Sequence, residues 1–490
     1  MVKKENIKSQ IISGLFWRFG EGIVAQGVSF FVSLILARLL MPEEYGVVAL
    51  VLVFINLANV FVSNGLGESL IQKKDSDETD FSTMFYCSFG FSILIYIILF
   101  FCAPTISCFY ENNQLVWVLR ILSLQLPLSS IRTIQQAYVS KHMMFKKFFY
   151  STIGGTLISG IVGIYMAYNG LGVWALVAQY LVNSVIDMII LFFTVKWIPT
   201  LKFSTKSAKQ LTNYGWKLVL SQFINTLYSE LRSLFIGKVY TTSDLAVYNK
   251  GNQFPSLLIT NINSSISSVL FPAMSRKSDD REKLKELTRS SIKLISYVLF
   301  PMLTGLMVVA EPLIRLLLTE NWLSCVPFLQ ISCIYWMFQP SQTANVQAIK
   351  AIGRSDICLK LEIIKKIIGV VLLLITINIS VYAVVVSNAI FAGISALINI
   401  IPNKRLIGYG IKEQAYDLMP SFILSIGMAI CILPIIKFGF NDIITILMQI
   451  VLGCIIYICG SLLFKIDSFV YLYNYIKKMF SHYNLIKGSR

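Results

Sequence analysis

The sequence predicts an all-α polytopic membrane protein. It has about fourteen transmembrane helices, set as two six-helix bundles related by a parallel pseudo-two-fold, with two more helices after them. Three observations predict this. Of 490 residues, 56% are hydrophobic and 14% charged, against about 25% charged in soluble domains. Apolar runs of bilayer-spanning length recur from end to end, too long and continuous for the alternating strands of roughly ten residues in a membrane barrel. One charged phrase is also written twice: "ARLLMPEEYG" from Ala37 returns as "GKVYTTSDLAVY" from Gly237, offset by 200 residues.

The spans fall in order at 11–40, 46–64, 82–104, 114–138, 150–169 and 172–194, then at 211–239, 246–273, 290–310, 324–348, 357–378 and 380–401, and finally at 417–437 and 442–463. Span 1 is too long, and its flanks are wrong, for a cleaved signal peptide. Linkers are short, the longest being about 275–290, and none holds a soluble domain. This divides the chain into an N-terminal six-helix bundle at 1–200, a C-terminal one at 201–403, two added helices at 404–464 and a cytoplasmic tail at 465–490.

The net charge of +17 follows the topology. Alternate loops collect the lysines and arginines: Lys3, Lys4 and Lys8; Lys73 and Lys74; Lys141, Lys146 and Lys147; Lys196 to Lys209; the cluster from Arg276 to Lys293; and Lys350, Arg354, Lys404, Arg405 and Lys412. The opposite loops hold almost none. This positive-inside pattern puts both termini in the cytoplasm and excludes a nucleic-acid partner, while leaving anionic lipid headgroups as contacts. The nine cysteines show no metal spacing and read as packing residues. His142 and His482 read as surface residues, and no metal site can be built from them.

The repeat extends past the phrase. Trp17 and Arg18 align with Trp216 and Lys217, offset by 199, and Gln125 and Ser129 align with Gln339 and Thr343, offset by 214. Six spans separate the copies, so both enter the membrane in the same direction. Paired halves of this kind suit a transporter that rocks about a central site.

Polar stripes mark the faces that would line such a site. Span 1 carries Arg18, Gly22, Ala25, Ser29 and Ser33, with Glu21 beside them; span 7 carries Lys217, Ser221, Asn225, Ser229 and Arg232. Asn56, Asn59 and Ser63 on span 2, Arg132 and Gln136 on span 4, Gln253 and Thr260 on span 8, and Gln339 and Gln347 on span 10 continue the pattern. Small polar residues also glue membrane helices together. The cations are less well explained that way, since an ionisable group at the bilayer centre costs about 2.5–3.5 kcal/mol on insertion scales. The expected cavity is hydroxyl- and amide-rich and net positive, suited to an anionic, sugar-like headgroup. Its candidate substrate-binding residues are Arg18, Glu21, Arg132, Lys217, Asn225, Arg232, Gln339 and Lys365.

Other charges have simpler readings. Glu362 and Lys366 form an i, i+4 pair that leaves Lys365 without a local partner. Glu311 and Arg315 read as an interfacial pair. Asp187 reads either as a buried hydrogen-bonded residue or as a coupling-ion group. Glu230, on a different face of span 7 from Arg232, reads as a structural residue partnered inside its own half. "MMFKKFFY" from Met143 reads as an interfacial anchor.

The repeated phrase, "NGLGESLIQKKD" (Asn64–Asp75), "YNKGNQFPSLLI" with "SSVLFPAMSR" (within Tyr248–Arg276) and "AEPLIRLLLTENW" (Ala310–Trp322) resemble polysaccharide flippases of the Wzx type. The closest branch looks like the colanic-acid and teichuronic-acid exporters. The resemblance implies a MATE-like fold and no catalytic motif. It implies transfer of an undecaprenyl-diphosphate-linked oligosaccharide across a bacterial plasma membrane, with the lipid tail in a gap between spans 1 and 8 or 2 and 7. It implies no cofactor beyond H+ or Na+ as a coupling ion, and as partners membrane lipids and the polymerase and glycosyltransferases of the same pathway. The rivals are a cation-coupled multidrug exporter, which an electropositive cavity disfavours, and an enzyme or scaffold of polysaccharide assembly. The short outer loops disfavour an enzyme.

Overall fold

The computed structural model describes residues 2–63, 66–73, 76–195 and 197–470, which are helical almost throughout. They form two compact units, Met1–Ala246 and Val247–Arg490. The first holds α1 (Val2–Leu39), α2 (Pro42–Ser63), the short α3 (Leu66–Gln72), α4 (Glu78–Tyr110), α5 (Gln114–Leu122), α6 (Gln125–Lys141), α7 (Lys146–Tyr168), α8 (Val173–Val195), α9 (Thr205–Val239) and the start of α10 (Thr242–Ser275). The second holds the rest of α10, then α11 (Arg281–Leu318), α12 (Val326–Met337), α13 (Gln339–Ala351), α14 (Ser355–Thr376), α15 (Val381–Leu406), α16 (Ile411–Ile432) and α17 (Asp442–Leu463).

Every expected span is helical. Ten helical stretches among the described residues are long and apolar enough to cross a membrane on length and composition. The other four expected spans, α9, α10, α12 with α13, and α14, carry many of the polar side chains that lower the average.

Spans 4 and 10 were expected as continuous helices, and both are broken. Span 4 divides into α5 and α6, span 10 into α12 and α13. Proline explains both breaks, since its ring removes an amide donor and clashes with the carbonyl four residues back. Pro127 and Pro340 lie in the first turns of α6 and α13. The two helices restart at Gln125 and Gln339, the residues that the repeat sets on each other.

The twice-written phrase forms two helix-to-helix turns. α1 gives way to α2 after two residues, and α9 to α10 after two. Glu44 Oε2 accepts from the Met41 amide at 2.8 Å, and Asp244 Oδ2 accepts from the Thr241 amide at 3.1 Å. Thr241 Oγ1 in turn accepts from the Asp244 amide, which completes a reciprocal cap that Met41 has no side chain to make. An acidic residue is thus kept at both places because it satisfies donors that helix starts leave open.

Gly46 at the first turn stands against the backbone of Thr242 at the second, and a Cβ there would lie inside the Thr242 carbonyl. Gly46→Ala is therefore expected to cost about 3 kcal/mol, the upper range for overpacking, read as a lowered melting temperature of the detergent-purified protein. An unchanged melting temperature would show that the two turns do not need this approach.

In the first unit α1 and α8 pack on α7, and α9 packs on α2, α3 and α4. In the second, α11 gathers α12, α16 and α17, so the two added helices lean on it. α11 has 38 residues, roughly 57 Å at 1.5 Å per residue, longer than the hydrocarbon core of about 30 Å. Its N-terminal turns carry Arg281, Lys283, Lys285, Arg289 and Lys293, so much of the basic cluster expected in a loop rides on a helix. Arg289 donates twice to Asp417 at 2.7 Å, and Lys293 stands 3.2 Å from the same carboxylate, tying α11 to α16.

The cysteines are all free. Cys325 and Cys333 are packing residues as expected, whereas Cys102, Cys108, Cys431, Cys454 and Cys459 are exposed on apolar helices. His142 is exposed, its Nδ1 2.8 Å from the Tyr138 carbonyl, and His482 lies outside the described residues. In the basic-aromatic run, Lys146 stands over the rings of Trp17 and Tyr150 at 5.3 and 5.7 Å, the cation–π contacts of an anchor.

Candidate functional site

The polar residues of α2, α6 and α9 meet in the first unit around a recess of about 470 Å³. Its floor is a closed hydrogen-bond network. Asn59 Oδ1 accepts from Ser63 Oγ and Ser129 Oγ, both at 2.8 Å, and Thr133 Oγ1 donates to Ser63 Oγ at 3.1 Å. α9 closes one side with Thr226 and Glu230, and Asn56 Nδ2 donates to Glu230 Oε1 at 3.0 Å. Arg132 and Gln136 on α6 line the opposite side.

Arg132 is held from behind. Its guanidinium donates to Asp187 Oδ2 of α8 at 3.1 Å; the arginine side chain is 29% exposed and the aspartate 6%. The pair is single-pointed, since Arg132 Nε and Asp187 Oδ1 are both buried without a partner. Of the two sequence readings of Asp187, the structure shows the buried hydrogen-bonded one. It also explains how a cation survives at this depth: membrane-embedded charges pair with one another or face water, and Arg132 does both.

One sequence expectation is corrected here. Glu230 was to find its partner within the second sequence half, but Asn56 of span 2 supplies it. Within this recess Glu230 faces Arg132. Spans 2 and 7 touch through the Asn56–Glu230 bond and through the Phe61 and Phe223 rings, with centroids 5.0 Å apart.

Of the candidate residues whose side chains are described, Arg132 alone lines the recess. Glu21 is buried and accepts from Thr152 Oγ1 at 2.8 Å, so it joins α1 to α7 rather than facing a cavity. Lys217 and Asn225 are exposed on α9, and Arg232 is half-buried, its guanidinium 6.0 Å from the Tyr228 ring centroid. Neither Lys217 nor Arg232 forms an ion pair among the described residues. Arg18 sits on α1, but its side chain lies outside the described residues.

In the second unit Gln339 is half-buried at the first turn of α13. Lys365, expected to lack a local partner, is buried and bonded to Glu362 one turn back. Residues three and four apart are both neighbours on a helix, so Glu362 could reach Lys365 as readily as Lys366. Glu311 and Arg315 pair as expected at 2.8 Å, and Arg315 also reaches Asp442 at 3.3 Å.

Sequence reasoning left Thr133, Thr226 and Glu230 off the site. The signal for the last two was present: Thr226 and Glu230 are one turn apart on a face of α9 separate from the cationic stripe. α9 therefore has two polar faces. One is built into the recess; the other, Lys217, Ser221, Asn225 and Ser229, is exposed along its length.

Polar faces on membrane-length helices, without strands or a metal cluster among the described residues, define an all-α multi-pass membrane protein of the MATE-like kind. Two solved structures share the fold. The lipid II flippase MurJ in an inward closed conformation superposes with a TM-score of 0.74 at 17% identity, covering 92% of this chain and 99% of that one. An inward-facing multidrug resistance MATE family transporter of the MOP superfamily gives 0.61 at 15% identity, covering 78% of this chain and 94% of that one. Residues 35–327 match the family described as Polysaccharide biosynthesis protein, and the chain belongs to that family.

Similar proteins include the teichuronic acid biosynthesis protein TuaB of Bacillus subtilis, 25% identical over 76% of this chain and 78% of its own length. The lipopolysaccharide biosynthesis protein WzxC of Escherichia coli is 25% identical over 74% of each chain. The succinoglycan biosynthesis transport protein ExoT of Rhizobium meliloti is 23% identical over 68% of this chain and 67% of its own. Family and fold together make this a multi-pass membrane protein of the polysaccharide biosynthesis family.

Proposed function

We propose that the chain is a flippase. It carries an undecaprenyl-diphosphate-linked oligosaccharide, a polysaccharide repeat unit, from the cytoplasmic to the outer leaflet of a bacterial plasma membrane by alternating access of a polar cavity. The observation that carries this reading is the exposed face of α9, where Lys217, Ser221, Asn225 and Ser229 follow one another at successive turns. Against lipid the lysine alone would cost about 2.5–3.5 kcal/mol, and the polar side chains beside it add to that cost. Such a face is stable only against water or a polar cargo.

A glycan headgroup needs that face for the same reason, because its hydroxyls would otherwise enter hydrocarbon unpaired. Lys217 and Arg232 supply cations that no carboxylate among the described residues neutralises, and these suit the diphosphate. The similarity to TuaB, WzxC and ExoT, proteins of teichuronic acid, lipopolysaccharide and succinoglycan biosynthesis, and to the lipid II flippase MurJ supports the cargo class. The loop charges support cytoplasmic termini. H+ or Na+ is the proposed coupling ion, and the polymerase and glycosyltransferases of the pathway the proposed partners.

Reconstitution tests the reading. A fluorescent undecaprenyl-diphosphate-linked glycan is placed in one leaflet of proteoliposomes and scored for access to a quencher outside. Faster crossing than in protein-free liposomes is expected; equal rates would overturn the proposal.

A further inference from the structure

We propose that the recess formed by α2, α6 and α9 is a sugar subsite that reads the hydroxyls of an uncharged hexose, with Glu230 as acceptor for two adjacent hydroxyls. This rests on the flippase reading and narrows it: the diphosphate and a sugar of the same cargo are recognised at different places by different chemistry.

The open hydrogen-bonding positions decide what fits. Asn56 places one amide hydrogen on Glu230 Oε1. Among the described residues no donor is placed on Glu230 Oε2 or on Asn56 Oδ1, and the Gln136 side chain forms no hydrogen bond. Arg132 commits one N–H to Asp187 of the five that a guanidinium carries. The recess therefore offers acceptors and donors side by side. A sugar hydroxyl is both donor and acceptor and can satisfy both kinds. An ionised phosphate only accepts. It would leave Glu230 Oε2 and Asn56 Oδ1 unsatisfied and would bring a second anion against the carboxylate, a like-charge contact that costs free energy.

Charge balance points the same way. The one cation of the recess among the described residues, Arg132, is already paired with Asp187 and faced by Glu230, which disfavours a diphosphate there. The floor is fixed in advance, because Asn59, Ser63, Ser129 and Thr133 bond to one another, and such preorganisation lowers the ordering cost of binding. The volume of about 470 Å³ lies within the range of small-ligand pockets, roughly 300–1,000 Å³.

The test uses the full chain in lipid nanodiscs and saturation-transfer NMR with methyl glycosides of glucose, galactose and mannose, and with inorganic pyrophosphate as competitor. At least one neutral glycoside is expected to bind, to be weakened about ten-fold by Glu230→Gln, and to be undisturbed by pyrophosphate. Gln136→Ala removes a side chain that supports nothing else and so leaves the fold intact; it is expected to weaken the same glycoside about three-fold.

The subsite is overturned if no neutral glycoside binds, if pyrophosphate displaces the one that does, or if both variants keep wild-type affinity. Should lipid-linked glycan cross proteoliposomes while both variants keep that affinity, the subsite falls and the flippase reading stands. Should the glycoside behave as expected while no lipid-linked glycan crosses, the subsite holds and the flippase reading falls alone.

Discussion

Replacing Arg132 by leucine is expected to destabilise the protein by about 3 kcal/mol, the lower end of the range for removing one partner of a buried ion pair. The damage falls on Asp187, whose side chain is 6% exposed and whose partner among the described residues is the Arg132 guanidinium at 3.1 Å. Its other oxygen, Oδ1, has no donor, so the carboxylate left behind must take up a proton or remain charged in a low-dielectric interior. Asp187→Leu is expected to cost less, since Arg132 still reaches the recess and its water.

The double variant Arg132→Leu/Asp187→Leu is expected to regain most of the lost stability, because two apolar side chains leave no charge stranded. Melting temperatures of the four proteins form a double-mutant cycle. Additive losses would show that the pair is not coupled and that Arg132 is held in the recess by something else.

Lys217 and Arg232 should behave in the opposite way. Neither has an acidic partner among the described residues, so Lys217→Gln/Arg232→Gln is expected to leave the melting temperature unchanged. Transport should suffer instead. A hydrogen bond to a charged group contributes about 1.5–3 kcal/mol, so the loss of two such contacts with a diphosphate is expected to lower translocation at limiting cargo by at least about ten-fold. A double variant that melts normally and transports normally would remove the diphosphate from this face of α9. One that melts lower would show that the two cations serve the fold.

The contrast between these variants reflects what a sequence can carry. Hydropathy located ten helical stretches that are long and apolar enough to cross a membrane among the described residues, because a helix in lipid must be apolar over a fixed length. The repeat was legible through Glu44 and Asp244 because a helix start needs the same cap wherever it occurs. The exposed stripe of α9 was legible because helical period alone sets which residues share a face.

Partners across helices were not legible. Period places Glu230 opposite the stripe but does not say that Asn56 lies there, and it places Glu21 beside Arg18 without naming Thr152. Nor could spacing choose between Lys365 and Lys366 for Glu362, since i+3 and i+4 are both in reach. The breaks at Pro127 and Pro340 were within reach. Both prolines stand within one residue of the 214-residue register of the repeat, and proline in a helix interior carries its own consequence.

The central claim is that one face of α9 stands in water although the helix belongs to a membrane bundle. In a cysteine-free background, Ser221→Cys and Ser229→Cys test that face. Leu220→Cys and Ile224→Cys test the apolar side of the same helix, where the native residues are 48% and 50% exposed. The probe is a membrane-impermeant maleimide, which reacts with thiolate and therefore with thiols that meet water. The account predicts labelling at 221 and 229 and protection at 220 and 224. Equal protection at all four positions would contradict it, for the polar stripe would then be buried in protein or lipid and no aqueous path would run along α9.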